Sequence, residues 1–183
     1  MMNFLILSDS HRNKANVEAA VRRSRNIDAI IFLGDGLGDL GYEPSFMSVP
    51  VFSVRGNCDM FFSGEAEDEL ILHFDEYTIM MMHGHRFGVK SSFEAAAAHA
   101  ANAGADILLF GHTHIPMEKY LGAGEEVCGA QLKKPLHVFN PGSIGTADSG
   151  HYSFGTMTLD KKGVLSVTED FDKKTLSHET TDF

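Results

Sequence analysis

Apolar residues along this chain gather in short runs more often than they recur at helical spacing. Asn3 to Ser8 (NFLILS), the run inside DAIIFLGDG, Val49 to Val54, the run in YTIMMMHGH and Ala105 to Phe110 (ADILLF) are each rich in Ile, Leu, Val, Phe or Met. Runs of that length bounded by glycine or polar turns predict buried strands of an α/β sheet. Each run leads into a short loop that carries His, Asp or Asn: SDSH, GDG, GNCD, HGH and GHTH. Loops at one edge of a sheet collect side chains from distant parts of a chain, and in open α/β sheets ligands bind at the carboxyl ends of the strands.

Two segments carry helical patterning. Asn13 to Arg25 (NKANVEAAVRRSR) is amphipathic with an asparagine at its start, and SSFEAAAAHAANAG is alanine-rich with a serine cap and a terminal glycine. Beyond GHTH the character changes. PMEKYLGAGEEV, LHVFNPGS, YSFGTMTLD and VLSVTEDF predict short strands joined by Gly and Pro turns, an antiparallel second half. DKKTLSHETTDF, about residues 172–183, reads as a loose polar tail. No repeat or linker divides the chain, so residues 1–183 form one expected domain.

The 183 residues, 43% hydrophobic and 22% charged, are enough to bury a sizeable core. A formal net charge of −10 argues against nucleic acid or a membrane surface as a general partner, since such binders carry basic stripes. Bound cations would change that locally. With Cys58 and Cys128 alone, no disulfide framework is implied. The apolar run at the start is too short for a signal peptide or membrane span. These features together lead us to expect a cytoplasmic address.

The strand-end side chains are Asp9 and His11, Asp35 and Asp39, Asn57 and Asp59, His83 and His85, and His112 and His114. Taken alone, GHTH could be a polar turn with two solvated imidazoles. The full set exceeds what one tetrahedral ion takes up, and a structural zinc site would draw on cysteine pairs that are absent. Two ions about 3.5 to 4 Å apart, sharing a carboxylate, would use it, an arrangement suited to phosphoryl hydrolysis.

The order D-x-H, GD, GN-x-D, HGH, GHTH resembles that of the calcineurin-like metallophosphoesterases. NPGS, Asn140 to Ser143, is similar to an element of their small, uncapped bacterial and archaeal phosphodiesterase branch. The resemblance implies a four-layer α/β/β/α sandwich. It further implies that Asp9, His11 and His114 hold one divalent ion, that Asn57, His83 and His112 hold a second, and that Asp35 bridges them. A hydroxide between the ions would attack a small phosphodiester in line. His85 is placed to help bind phosphate or to support the ligands, and the spacing of Asp59 from Asn57 lets it orient a ligand imidazole or its neighbour. Manganese is the implied ion, while nickel, cobalt, iron and zinc also suit these ligand types. Cys58 departs from the many relatives that carry a histidine after the metal-binding asparagine, which favours diesters with leaving groups of low pKa.

Other readings stand beside this one. A phosphomonoesterase or protein phosphatase uses similar motifs, and the retromer scaffold subunit has the same fold. An assembly role would need an exposed apolar patch, for which DMFF, Asp59 to Phe62, is the short candidate. That patch could equally be a dimer contact, so a homo-oligomer stays open. Arg12 and Arg55 flank motifs and could meet phosphate or form ordinary ion pairs. Asp39 is expected to fix the loop after Asp35, and Met80 to Met82 to fill core. His73, His99, His137, His151 and His178 are expected to be structural. GDGLGDLG lacks both the Walker lysine and dinucleotide-loop spacing, so no nucleotide cradle of those types is expected there.

Overall fold

The computed structural model describes residues 1–41, 48–61, 66–161, 163–171 and 177–182. In chain order the elements are β1 (Met2–Leu7), α1 (Lys14–Arg23), β2 (Ala29–Phe32), β3 (Val51–Ser53), β4 (Glu69–Phe74), β5 (Tyr77–Met82), α2 (Glu94–Asn102) and β6 (Ile107–Phe110). They continue with β7 (Met117–Leu121), β8 (Glu126–Val127), β9 (Ala130–Gln131), β10 (Leu136–Asn140), β11 (Ser153–Asp160), β12 (Gly163–Asp170) and β13 (Ser177–Asp182). The five apolar runs of the first half correspond to β1, β2, β3, β5 and β6.

One sheet has the order β13-β12-β11-β1-β2-β3 and the other β4-β5-β6-β10-β7, with β8 and β9 forming a small ribbon. The first pairs β1, β2 and β3 in parallel, and the second does the same with β5, β6 and β10. Parallel pairing aligns the carboxyl ends of neighbouring strands, which carries their following loops to a shared edge. Alternation along β1 divides its side chains between two cores. Phe4 and Ile6 pack with Ile31, Ile79, Met81 and Leu109 from both sheets. Leu5 and Leu7 join Val17 and Ala20 of α1. Met80, Met82 and Leu108 of the second sheet pack instead on Ala96, Ala97 and Ala100 of α2. Side chains of this kind contribute about 1.5–3 kcal/mol each when fully buried.

The helix ends follow the expected chemistry with one adjustment. The Asn13 side chain accepts from Asn16 N at 3.3 Å at the start of α1. At α2 the cap residue itself, Phe93, makes no side-chain bond, and Ser92 Oγ accepts from Glu94 N at 3.1 Å. Gly104 beyond it has φ +77, a left-handed turn suited to glycine.

Two expectations change. Leu136–Asn140 was grouped with antiparallel strands, yet β10 pairs in parallel with β6 and antiparallel only with β7. All five of its residues are buried, which suits an inner strand covered on both faces. Ser177–Asp182, expected as loose tail, pairs antiparallel with β12 as an edge strand. The rest of that tail, residues 172–176 and 183, lies outside the described residues. No helix among the described residues is long and apolar enough to cross a membrane.

Candidate metal centre

The loops after β1, β2, β3, β5, β6 and β10 meet at one edge. Asp9, His11, Asp35, His112 and His114 have φ of 53°, 44°, 58°, 68° and 60°. Left-handed backbone at a residue other than glycine costs on the order of 1–3 kcal/mol and persists where surrounding bonds hold it. Here Asp9 N donates to Gly34 O at 2.9 Å, His11 N to Asp35 O at 3.0 Å and Gly145 N to Asp9 O at 3.1 Å. Gly56 is demanded by close approach, because a Cβ there would lie 2.1 Å from Asp35 Oδ1.

Asp9 is fully buried and its two oxygens are differently used. Oδ2 accepts from Ser8 Oγ at 2.5 Å and from His112 N at 3.0 Å. Oδ1 has no hydrogen-bond partner among the described residues and faces His114 Nε2 at 3.2 Å. His11 Nε2 lies 3.1 Å from that same nitrogen. The other nitrogen of His114 donates to the Asp148 carboxylate and meets Thr146 Oγ1 at 3.0 Å. A neutral imidazole that donates from Nδ1 presents a bare lone pair at Nε2. With His114 in that neutral form, Asp9 Oδ1 and His114 Nε2 face each other as two electron-pair donors with no hydrogen between them, beside His11 Nε2.

The second group repeats the arrangement. His83 Nδ1 donates to Leu33 O at 2.7 Å, which turns the Nε2 lone pair toward Asn57 Oδ1 at 3.2 Å and Asp35 Oδ2 at 3.4 Å. His112 Nδ1 is buried without a partner among the described residues. Ligand atoms of Asp9, His11 and His114 lie within 4.8 Å of one another, as do those of Asp35, His83 and His112. Asp35 Oδ2 is also 3.9 Å from His11 Nε2, so its carboxylate touches both groups. Converging carboxylate, imidazole and amide donors whose other atoms are tied to the protein fit divalent ions, and the chain presents such candidate metal-binding clusters.

Without ions, charge is balanced by protons. Burial opposes the imidazolium of His83, but Asp35 and Asp9 outweigh it and raise its pKa. When protonated at Nε2, His114 donates to Asp9, which raises its pKa above burial's opposing effect. Burial also pushes the Asp35 carboxyl up, yet the hydrogen bond and charge of His83 and the Cys58 amide hold it well below the usual range. His112 is lowered to about 4 by burial and then by the charge of His83. His85 is lowered by burial, His83 and Arg86.

His85 sits beside the second group, its ring centroid 5.4 Å from that of His83. Asp59 acts on a neighbouring loop rather than on a ring. Its oxygens accept from the backbone N–H groups of Asp35 at 2.7 Å, Gly36 at 2.9 Å, Leu37 at 3.0 Å and Gly56 at 2.9 Å. The carboxylate therefore fixes the Asp35 loop, and among the described residues it bonds to no imidazole. Asp39 ties its own loop, the one after Asp35, to the loop after β1, accepting from Ser10 Oγ at 2.5 Å and Arg12 N at 2.8 Å. Cys58 N donates to Asp35 Oδ1 at 2.6 Å, while burial and then Asp35 push the thiol up to about 11.

Four supporting residues carried no individual role in the sequence reading. Asn140 Nδ2 donates to Gly111 O and Thr113 Oγ1, both at 3.0 Å, and so clamps the GHTH loop. Ser143 Oγ donates to Asp9 O at 2.8 Å and accepts from Thr146 N at 2.8 Å. Their NPGS motif was the available signal, whereas Asp148 and Thr146 had none. The structural expectation suits the other histidines with described side chains: His73 meets Thr78, His99 meets Glu69, His137 meets Glu118 and Ser166, and His151 meets Asp170. The side chain of His178 lies outside the described set.

Known proteins similar to this chain include phosphoesterases. The chain is 36% identical over 144 residues to the probable metallophosphoesterase YsnB of Bacillus subtilis, spanning 78% of this chain and 75% of that one. It is 25% identical over 197 residues to the phosphodiesterase YfcE of Escherichia coli, spanning 92% and 94%. A predicted phosphoesterase from Streptococcus pneumoniae superposes with TM-score 0.75 at 23% identity, covering 100% of this chain and 97% of that one. Vps29 from Entamoeba histolytica, solved with zinc, superposes with TM-score 0.70 at 20% identity over 99% of each chain. The family model for the calcineurin-like phosphoesterase superfamily domain matches residues 2–162, and the chain belongs to that superfamily.

Proposed function

We propose that this protein is a phosphodiesterase that works with two divalent ions. The observation that carries the reading is the convergence of unshared electron pairs at two adjoining points, with Asp35 reaching both. Asp9, His11 and His114 would hold one ion, Asn57, His83 and His112 the other, and Asp35 would bridge them. Such a pair supplies a nucleophile from water near neutral pH and positive charge against the phosphoryl oxygens. Asp9 and Asp35 keep their donor atoms aimed inward because Ser8, His112 N and Cys58 N hold the rest of each carboxylate. His85 offers an N–H to a phosphoryl oxygen.

Position 58 decides the ester class. A thiol pushed up to about 11 by burial and then by Asp35 protonates an alkoxide poorly compared with an imidazole, so activated diesters are the favoured substrates. Manganese is the first ion to test, and nickel, cobalt, iron and zinc suit the same donors. The test is hydrolysis of bis-p-nitrophenyl phosphate against p-nitrophenyl phosphate by metal-stripped protein with each ion restored. Metal-dependent diester cleavage that disappears in Asp35→Asn supports the reading. Cys58→His should shift the ratio toward the monoester, and an unchanged ratio removes the proposed role of position 58.

The scaffold reading draws on Met60 and Phe61, which are 75% and 95% exposed just beyond the centre. Stoichiometric metal binding with neither ester cleaved would favour it.

A further inference from the structure

Beside the metal centre lies an open cavity of about 490 Å³, lined by His11, Asp35 and Cys58, whose ligand atoms lie within 4.8 Å of one another, and also by Arg12 and Phe61. Its volume lies within the range of small-molecule sites. Two carboxylates, Asp39 and Asp59, also reach this cavity and would ordinarily repel an anion. Both are already committed to the protein. Asp59 accepts four backbone N–H groups, and Asp39 accepts Ser10 Oγ and the Arg12 amide.

Arg12 is different. It is exposed, its backbone is fixed at φ 70° by the bond to Asp39, and no ion pair engages its guanidinium among the described residues. In a chain of formal net charge −10, a cation left without a carboxylate beside a phosphate-binding centre is suited to a second anionic group. Phe61 adds a flat apolar face on the same cavity, 95% exposed. An aromatic ring on a rim is a stacking platform for a base. Phe62, the last residue of the DMFF patch, lies outside the described residues.

We propose that Arg12 and Phe61 select the ester group of the substrate, and that the group they fit is a nucleoside phosphate, with its base on Phe61 and a second phosphate on Arg12. This rests on the phosphodiesterase reading for the placement of the first phosphate at the metals. It assigns specificity to residues outside the candidate ligand set.

The test is equilibrium binding of four probes, ADP, AMP, pyrophosphate and orthophosphate, to the manganese-loaded protein by calorimetry. ADP should bind tightest, since it alone presents both a base and a second phosphate. Arg12→Ala should weaken ADP and pyrophosphate roughly tenfold while leaving AMP and orthophosphate within about twofold. Phe61→Ala should weaken ADP and AMP by about fivefold and leave pyrophosphate and orthophosphate alone. The crossed pattern separates a selective pocket from a general loss of folding or metal. Equal losses for all four probes, or no preference for ADP over orthophosphate in the unaltered protein, would overturn the proposal. Hydrolysis of bis-p-nitrophenyl phosphate is measured alongside. Diester cleavage without nucleotide preference removes only the pocket, and the crossed pattern without diester cleavage removes only the hydrolytic reading.

Discussion

His11 Nε2 lies 3.1 Å from His114 Nε2, although 103 positions separate the two residues in the chain. Two ring nitrogens this close are held there by their loops, and under the proposed function a cation would lie between them and Asp9. Removing one of them should therefore cost one ion. His114→Ala is expected to lower bound metal from about two ions per chain toward one, as measured by elemental analysis after dialysis against limiting metal. Retention of both ions would show that Asp9 and His11 suffice and that His114 is no ligand.

The buried carboxylate of Asp59 makes a separate prediction, about stability. Its oxygens satisfy four backbone N–H groups across two loops, and an asparagine can accept at only one of its two terminal atoms. Asp59→Asn should destabilise the metal-free protein by about 3 kcal/mol, because hydrogen bonds to charged groups contribute most and buried donors left unpaired cost more. Urea unfolding measures this directly. A change under about 0.5 kcal/mol would mean that the loops relax without loss.

Much of this site was legible because β1, β2, β3, β5 and β6 each announce themselves as apolar runs that end in a polar loop. The strand Glu69–Phe74 was not set out as an element. Its alternating exposed and half-buried residues mark an edge strand, and its burial depends on a partner distant in space. The direction of β10 was hidden for a related reason: local pattern reports burial on both faces but not which neighbour provides it. Asp148 is a lone acid in a Gly- and Ser-rich loop, 61% exposed, and its tie to His114 exists only through tertiary structure. Asp59 was singled out by its spacing from Asn57. What spacing could not reveal was that its partners would be amides and not an imidazole.

The proton balance of the metal-free centre predicts a stability maximum. His112, lowered to about 4 by burial and His83, favours its neutral form in the folded chain. Its contribution therefore grows as pH rises from about 4 toward the ordinary histidine value of about 6.5. His83 and His114 are raised, so their contribution is complete below the ordinary value and is lost as pH rises through their folded values. Thermal unfolding of the chelated protein from pH 4 to pH 9 should accordingly rise and then fall. Metal-loaded protein should lack the fall, since ions then replace the protons. A chelated protein whose stability climbs steadily to pH 9 would contradict the assignment.

Asp148 provides the sharpest separation of positioning from ligation. Its carboxylate takes the His114 Nδ1–H while standing largely in solvent, and Thr146 Oγ1 supports the same nitrogen at 3.0 Å. Losing the carboxylate leaves every candidate ligand in place, so Asp148→Asn should keep two bound ions at saturating metal. It should weaken the affinity of one ion by about 10- to 100-fold, as the loss of an imidazole's supporting partner does at other metal sites. The proper readout is competition with a chromogenic chelator, together with a urea titration of the chelated form. Because Asp148 is exposed, that unfolding midpoint should barely move. A weakened ion with unchanged apo stability identifies Asp148 as a residue that orients His114. Parallel losses in both measurements would instead make the Asp148 loop part of the folded framework and remove its specific role at the metal.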